Sequence, residues 1–289
     1  MKGLARQVGS RPPSSAKHTR HRRARPPAQA IPTRHAPRRS RFPAPPCPPR
    51  RSRRSLASDG SGPERRGCAC ASIPDTRAVR LGSPLRQSFF ARDVLTVAAE
   101  LVGCRLVHRL ASGERLVLRL VEVEAYLGEG SDPASHAHRG PTPRNRTMFG
   151  PAGRLYAYRS YGIHTCVNVV CGARGTAAAV LLRAGEPLEG LARMRRLRGL
   201  PDEAAPTLIA RGPGRLAQAL GLGLEHDGQS LLRSPLTLHP PATRASPARV
   251  LRGPRVGIGR AVNRPHRFFE ADSRWVSPYR PGGGRTRKS

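Results

Sequence analysis

RLVLRLVEVEAYLG, residues 115–128, decides the fold. Residues 115–125 read as a long strand, whose successive side chains point to opposite faces. That pattern puts Leu116, Leu118, Leu120, Glu122, Glu124 and Tyr126 on one side, an apolar face ending in two carboxylates. Residues 105–110 read as its hairpin partner across Ala111-Ser112-Gly113-Glu114. Before them, ARDVLTVAAEL (91–101) sets Val94, Leu95, Ala98 and Leu101 on one helical face, and Gly103 supplies a stop. After them, 128–154 is rich in Gly, Pro, Asp, Ser and Arg and predicts a long loop, a feature that is usually functional inside a compact domain.

A second hairpin follows, 155–158 and 164–170, with Tyr161-Gly162 at its tip. Residues 178–183 read as a buried strand, 187–197 as a helix with Pro in its first turn and Gly199 at its end, and 213–220 as a shorter helix between Gly212 and Gly221. Strands are predicted at 255–258 and 267–270. There is no internal repeat. The expectation is one α+β domain on an antiparallel sheet with flanking helices and a protruding β-hairpin, over residues 84–282.

Ahead of that domain, residues 1–80 hold 20 Lys and Arg against 3 Asp and Glu, with much Pro and Ser. Such a stretch buries too little apolar surface to offset chain entropy, so 1–83 reads as a disordered basic arm and 283–289 as a basic tail. The chain has 52 Lys and Arg and 18 Asp and Glu, so removing the first 80 residues leaves 32 against 15. The domain itself therefore carries a net +17, a balance suited to a polyanion. Only Lys2, Lys17 and Lys288 are lysines, and GC-rich codons would also give an arginine bias.

No apolar run reaches the roughly 20 residues of a membrane span, and no secretory signal is visible. A DNA-binding arm, a targeting segment and a misassigned start remain alternative readings of residues 1–80. The cysteines, at 47, 68, 70, 104, 166 and 171, form no metal-ligand spacing and imply a reducing compartment. The expectation is a cytoplasmic, nucleoid-associated bacterial protein, monomeric, without metal or cofactor; organellar targeting by the arm is the alternative.

Four features carry chemistry. A carboxylate among apolar neighbours has a raised pKa and suits a general base, which singles out Glu122 and Glu124; the plainer reading is that they leave the sheet for solvent. Tyr126, Tyr156, Tyr158 and Tyr161 are four of five tyrosines among only 12 aromatic residues, and flat rings stack on extrahelical bases. Tyrosines also line ordinary cores, but one at a hairpin tip would be exposed. In HAHRGPTPRNR (136–146), Arg139, Arg144 and Arg146 could hold phosphates and His136 could hydrogen-bond a ligand, although solvated loops look similar. Gly212-Pro213-Gly214-Arg215 opens a helix where Arg215 could meet an anion, although many such starts bind nothing.

Taken in order, VEVEAYLG (121–128), DPASHAHRGPTPRNRTMFGPAGRLYAYRSYGIHTCVNVV (132–170), VLLRAGEPLEGL (180–191) and GPGRLAQALG (212–221) resemble the alkyladenine (3-methyladenine) DNA glycosylase family. The likeness spans roughly 86–279, including RVGIGRAVNRPHRFF and WVS. It implies a curved antiparallel sheet, hydrolysis of the N-glycosidic bond of damaged purines in double-stranded DNA, and no cofactor. By motif it makes Glu124 the general base and Arg183 the residue that orients Glu124 and its water. Tyr126, His136 and Tyr158 would hold the flipped base, Asn168 would screen purine substituents at the pocket floor, and Tyr161 would fill the gap left in the duplex. The alternatives are a non-catalytic nucleic-acid-binding protein of the same fold and a hydrolase of free nucleosides.

Overall fold

The computed structural model describes residues 78–242 and 249–282. The predicted tail and residues 1–77 of the predicted arm lie outside these. The chain is already tied to the domain before residue 84: the Val79 N–H donates to Glu189 Oε2 at 2.8 Å, and the Arg80 carbonyl accepts from Arg105 at 2.6 Å. Two helices come first, α1 (Gln87–Phe90) and α2 (Val94–Leu101). The second begins later than periodicity predicts, because the Asp93 carboxylate caps it, accepting the Thr96 N–H at 2.9 Å.

Strands β1 (Arg105–Arg109), β2 (Arg115–Tyr126), β3 (Leu155–Ser160), β4 (His164–Cys171) and β5 (Ala178–Glu189) follow. Helices α3 (Leu191–Arg198), α4 (Thr207–Ala210) and α5 (Pro213–Ala219) lead to β6 (Leu232–Arg233), β7 (Leu236–His239), β8 (Val250–Gly253) and β9 (Arg267–Glu270). The strands form one curled antiparallel sheet in the order β3-β4-β5-β2-β1-β7-β6, with β9 pairing β2 and β8 pairing β9. One edge of β2 runs along β5. The other pairs with β1 as far as Arg119 and then with β9 from Glu122 to Glu124, so the sheet forks at the middle of β2.

At the fork both central strands are bulged. Leu120 pairs with Gly185 and Glu122 with Ala184, which leaves Val121 as the extra residue on β2. Val123 then pairs with Leu182, which leaves Arg183 as the extra residue on β5. A bulge shifts the alternation by one residue and turns every later side chain over. Leu116, Leu118 and Leu120 enter the main core, and beyond the bulge Val123 and Ala125 take that face. Glu122, Glu124 and Tyr126 are thereby delivered to the opposite face, correcting the expectation that all six share one side.

Helices cover the first face: Val97 and Leu101 of α2 and Leu216 and Leu220 in and after α5 join these strand residues. The second face carries a smaller cluster of Ala137, Met148, Tyr156, Val170, Ala177 and Ala179, over which the 128–150 loop folds. Two further expectations are corrected. Pro187 lies in β5 and not in a helix; β4 accompanies β5 only to Leu181, leaving Pro187 at an edge where a missing N–H is tolerated, and α3 starts at Leu191. Residues 255–258 form a loop, with the strand displaced to Val250–Gly253, because Pro254 ends the ladder. Among the described residues no helix is long and apolar enough to cross a membrane.

Candidate active site

A cavity of about 360 Å³ opens on the face that receives Glu124 and Tyr126, lined by Tyr126, His136, Tyr156, Tyr158, Asn168 and Arg183, among others. Tyr156 and Tyr158, two residues apart on β3, point into it with rings stacked 5.5 Å apart at 24°. His136, from the long loop, sets its ring edge-on to Tyr158 at 4.5 Å, and its Nδ1 lies 3.1 Å from the Tyr156 hydroxyl. Asn168 pairs with Tyr156 across the β3–β4 ladder and donates from Nδ2 to the Tyr156 carbonyl at 3.0 Å. Burial pushes the Tyr158 hydroxyl well up and that of Tyr156 up to about 12, so both remain protonated. Burial lowers the His136 pKa, helped by Arg144, which favours a neutral imidazole.

Neither glutamate reaches solvent: both are fully buried, against the plainer expectation. Their surroundings differ. Glu122 is saturated, accepting from Arg183 Nε (3.1 Å), Arg267 Nε (2.7 Å), the Ser277 N–H (2.8 Å) and the Ser277 hydroxyl (2.9 Å). Glu124 accepts from the Tyr126 hydroxyl at 2.9 Å and the Val256 N–H at 2.7 Å, with Arg183 Nη1 3.3 Å from Oε2. Tyr126, Val256 and Arg183 all line the cavity, so Glu124 sits directly behind its wall. Burial raises the Glu124 pKa against the opposing pull of Arg183, the Val256 N–H and Tyr126. The result is an oriented carboxylate of increased basicity beside a cation, placed to take a proton from a water in the cavity.

Tyr161 also reaches the cavity, from the tip of the β3–β4 hairpin. It is 86% exposed and adopts φ +50°, a left-handed conformation that is uncommon for a bulky aromatic residue. Neither burial nor backbone preference accounts for it there, which keeps it a candidate for a role outside the core. Ile163, 69% exposed, stands beside it. Of the arginines, Arg144 lines the cavity, its guanidinium 5.8 Å over the Tyr158 ring and Nη2 donating to the Arg159 carbonyl at 2.9 Å. Arg139 and Arg146 are exposed on the loop and away from the cavity lining. Arg215 is exposed on α5, whose Pro213 does line the cavity.

Sequence reasoning missed the partners contributed by the C-terminal segment. Arg267 and Ser277 hold Glu122, Val256 holds Glu124, and Arg255 forms a buried pair with Asp132. Their separation in sequence hides them, since Arg267 lies 145 positions from Glu122. Tyr156 was visible as one of the clustered tyrosines but not as a pocket residue. Among the described residues no group of three or more His, Cys, Asp or Glu side chains is placed to hold a metal ion.

The family model for methylpurine-DNA glycosylase matches residues 88–274, nearly the whole described domain. The chain belongs to that family. Relatives provisionally named 3-methyladenine DNA glycosylase are similar over about two thirds of the chain. One from Rhodopseudomonas palustris is 49% identical over 197 residues, covering 68% of this chain and 89% of the relative. One from Methanoculleus marisnigri is 49% identical over 197 residues, 67% of this chain and 98% of the relative. One from Leifsonia xyli is 47% identical over 207 residues, 70% and 95%. Membership places this methylpurine-DNA glycosylase homologue among the DNA repair glycosylases, hydrolases of N-glycosyl bonds that begin base excision repair. Of the residues carried over by motif, Tyr126, His136, Tyr158, Tyr161, Asn168 and Arg183 line one cavity, and Glu124 lies behind its wall.

Proposed function

We propose that this chain is a monofunctional, monomeric glycosylase that extrudes a damaged purine from duplex DNA and hydrolyses its N-glycosidic bond. The carrying observation is Glu124, a desolvated carboxylate held on three sides behind an aromatic cavity. The base enters the cavity with one face toward Tyr126 and the other toward the His136–Tyr158 pair, whose close contact leaves no room between them. Asn168, buried at the wall, limits which purine substituents fit. Glu124 accepts a proton from water while the water oxygen attacks C1′ of the deoxyribose. The C1′–N bond breaks, its electron pair leaves with the base, and an abasic site remains. Arg183 holds Glu124 and the water in line.

Tyr161 occupies the vacated stack, and Arg139, Arg144, Arg146 and Arg215 face the phosphates. The matched domain contains no lysine, which argues against an amine-based lyase step. The test is release of free base from methylated duplex, from hypoxanthine-containing duplex and from the free nucleosides. Release from a duplex alone is expected. Release from nucleosides at a comparable rate, or no release from any substrate, overturns the reading.

A further inference from the structure

Three segments meet behind the catalytic carboxylate, joined by one ion pair. Arg255 and Asp132 are both fully buried, with Nη1 and Nη2 of Arg255 at 2.5 and 2.8 Å from the two Asp132 oxygens. The same Nη1 donates to the Ala125 carbonyl at 3.1 Å, and the guanidinium lies 4.6 Å from the centre of the Tyr126 ring. Asp132 in turn accepts the Leu127 and Ala134 N–H groups, each at 3.2 Å. The residue after Arg255, Val256, donates to Glu124. One pair thus fixes the end of β2 carrying Glu124 and Tyr126, the start of the loop carrying His136, and the loop supplying an N–H to Glu124.

A buried ion pair adds little net stability, since desolvation offsets its Coulomb gain, and Arg255 Nε has no partner among the described residues. What the pair supplies is placement and charge balance. We propose that Arg255 and Asp132 are positioning residues for the glycosylase reaction, locking Tyr126 and the Val256 N–H against Glu124 and balancing the charge beside it. This rests on the reading of Glu124 as the general base.

The groups facing Glu124 come from every neighbouring element: Glu122 and Tyr126 on β2, Arg183 on β5, Tyr158 on β3, Cys166 on β4, Arg255 on its loop and Arg267 on β9. Among these, Arg255 is a cation whose charge a single partner, Asp132, offsets directly. Unbalancing the pair is expected to shift the titration of Glu124, in a direction set by which partner is lost.

The experiment is a pH profile of single-turnover excision on methylated duplex at saturating enzyme, with melting temperature measured in parallel. Asp132→Asn leaves an uncompensated cation, favours the Glu124 carboxylate and moves the acidic limb to lower pH. Arg255→Gln leaves an uncompensated anion and moves it to higher pH. Each displacement is expected to be roughly half a pH unit or more. The neutral double variant D132N/R255Q returns the limb to its original position at a reduced rate. Limbs that stay put, or move the same way, overturn the proposal.

Should the unbalanced variants fail to fold, Arg255→Lys and the double variant decide. Both lose the two-pronged clamp without a net change of charge, and an excision rate lowered several-fold with unchanged lesion binding is expected. A wild-type rate in either overturns the proposal. An active Glu124→Gln variant strikes out the general-base reading instead, whereas an inactive one with immobile limbs strikes out only the clamp.

Discussion

The end of β2 and the tip of the β3–β4 hairpin both reach the cavity, and they are built in opposite ways. At the end of β2 two carboxylates are fully buried and held by donors from other strands and loops. At the tip an aromatic ring stands 86% exposed on a left-handed backbone. A proton acceptor needs a dry site with its dipoles already oriented, because a carboxylate in water is weakly basic and its surroundings must reorganise. A group that enters a base stack needs the reverse: nothing holding it before the duplex arrives. With the roles proposed above, a bulged interior strand meets the first requirement and a free turn the second.

The largest effect that would break this comparison is chemical. Glu124→Gln keeps the shape and removes the base, so excision should fall by at least ~10²-fold while lesion binding survives. Single-turnover excision and a binding titration check both halves. Wild-type excision would show that the buried end of β2 is not the chemical end. Excision by the unaltered enzyme should also decline on acidification at a pH above the usual Glu value, since burial raises the Glu124 pKa and the base must be ionised. A rate that holds down to the range of an ordinary exposed carboxylate would contradict this.

Glu122→Gln sharpens the contrast within the buried end. It removes the charge partner of Arg267 and one of the two of Arg183, so stability should drop by on the order of 3 kcal/mol, read by denaturant unfolding, with excision less impaired than in Glu124→Gln. The opposite ranking of the two variants in excision would exchange their roles. At the tip, Tyr161→Ala should lose roughly 1–3 kcal/mol of lesion binding and nothing in folding stability, and less in bulged or mispaired substrates where unstacking is cheaper. Equal loss on paired and unpaired lesions would make Tyr161 a turn residue only. Smallest is the effect of the loop arginines. Arg139→Ala and Arg146→Ala should each reduce the slope of log K against log salt by about 1 if each meets one phosphate. An unchanged slope removes that residue from the interface.

Much of this was legible in the sequence. The apolar run of residues 115–126 pointed to the strand, Tyr161-Gly162 to the turn, and motif likeness to Glu124 and to the aromatic residues that line the cavity. The bulges were not legible. Val121 and Arg183 become extra residues only through their pairing partners, and a run such as VEVEAY looks the same whether or not its phase slips. Hence Glu122 and Glu124 were identified while their face was misassigned. Arg255 was read as a strand residue because nothing near it indicates Asp132, 123 positions away. Pro187 was read as a helix start because a proline at the first turn of a helix and one at a sheet edge have the same local signature.

The fork of the sheet has a consequence for how the enzyme comes into being. Both glutamates leave the ribosome well before Arg267 and Ser277, which lie 145 and 155 positions beyond Glu122. Until translation reaches them, β2 has its β1 and β5 neighbours within reach but Glu122 lacks most of its donors and Glu124 lacks Val256. The hydrogen-bond shell of the two glutamates is therefore completed by the closing segment of the domain. A nascent chain stalled before β9 leaves Glu122 with Arg183 as its one donor among the four seen in the finished fold.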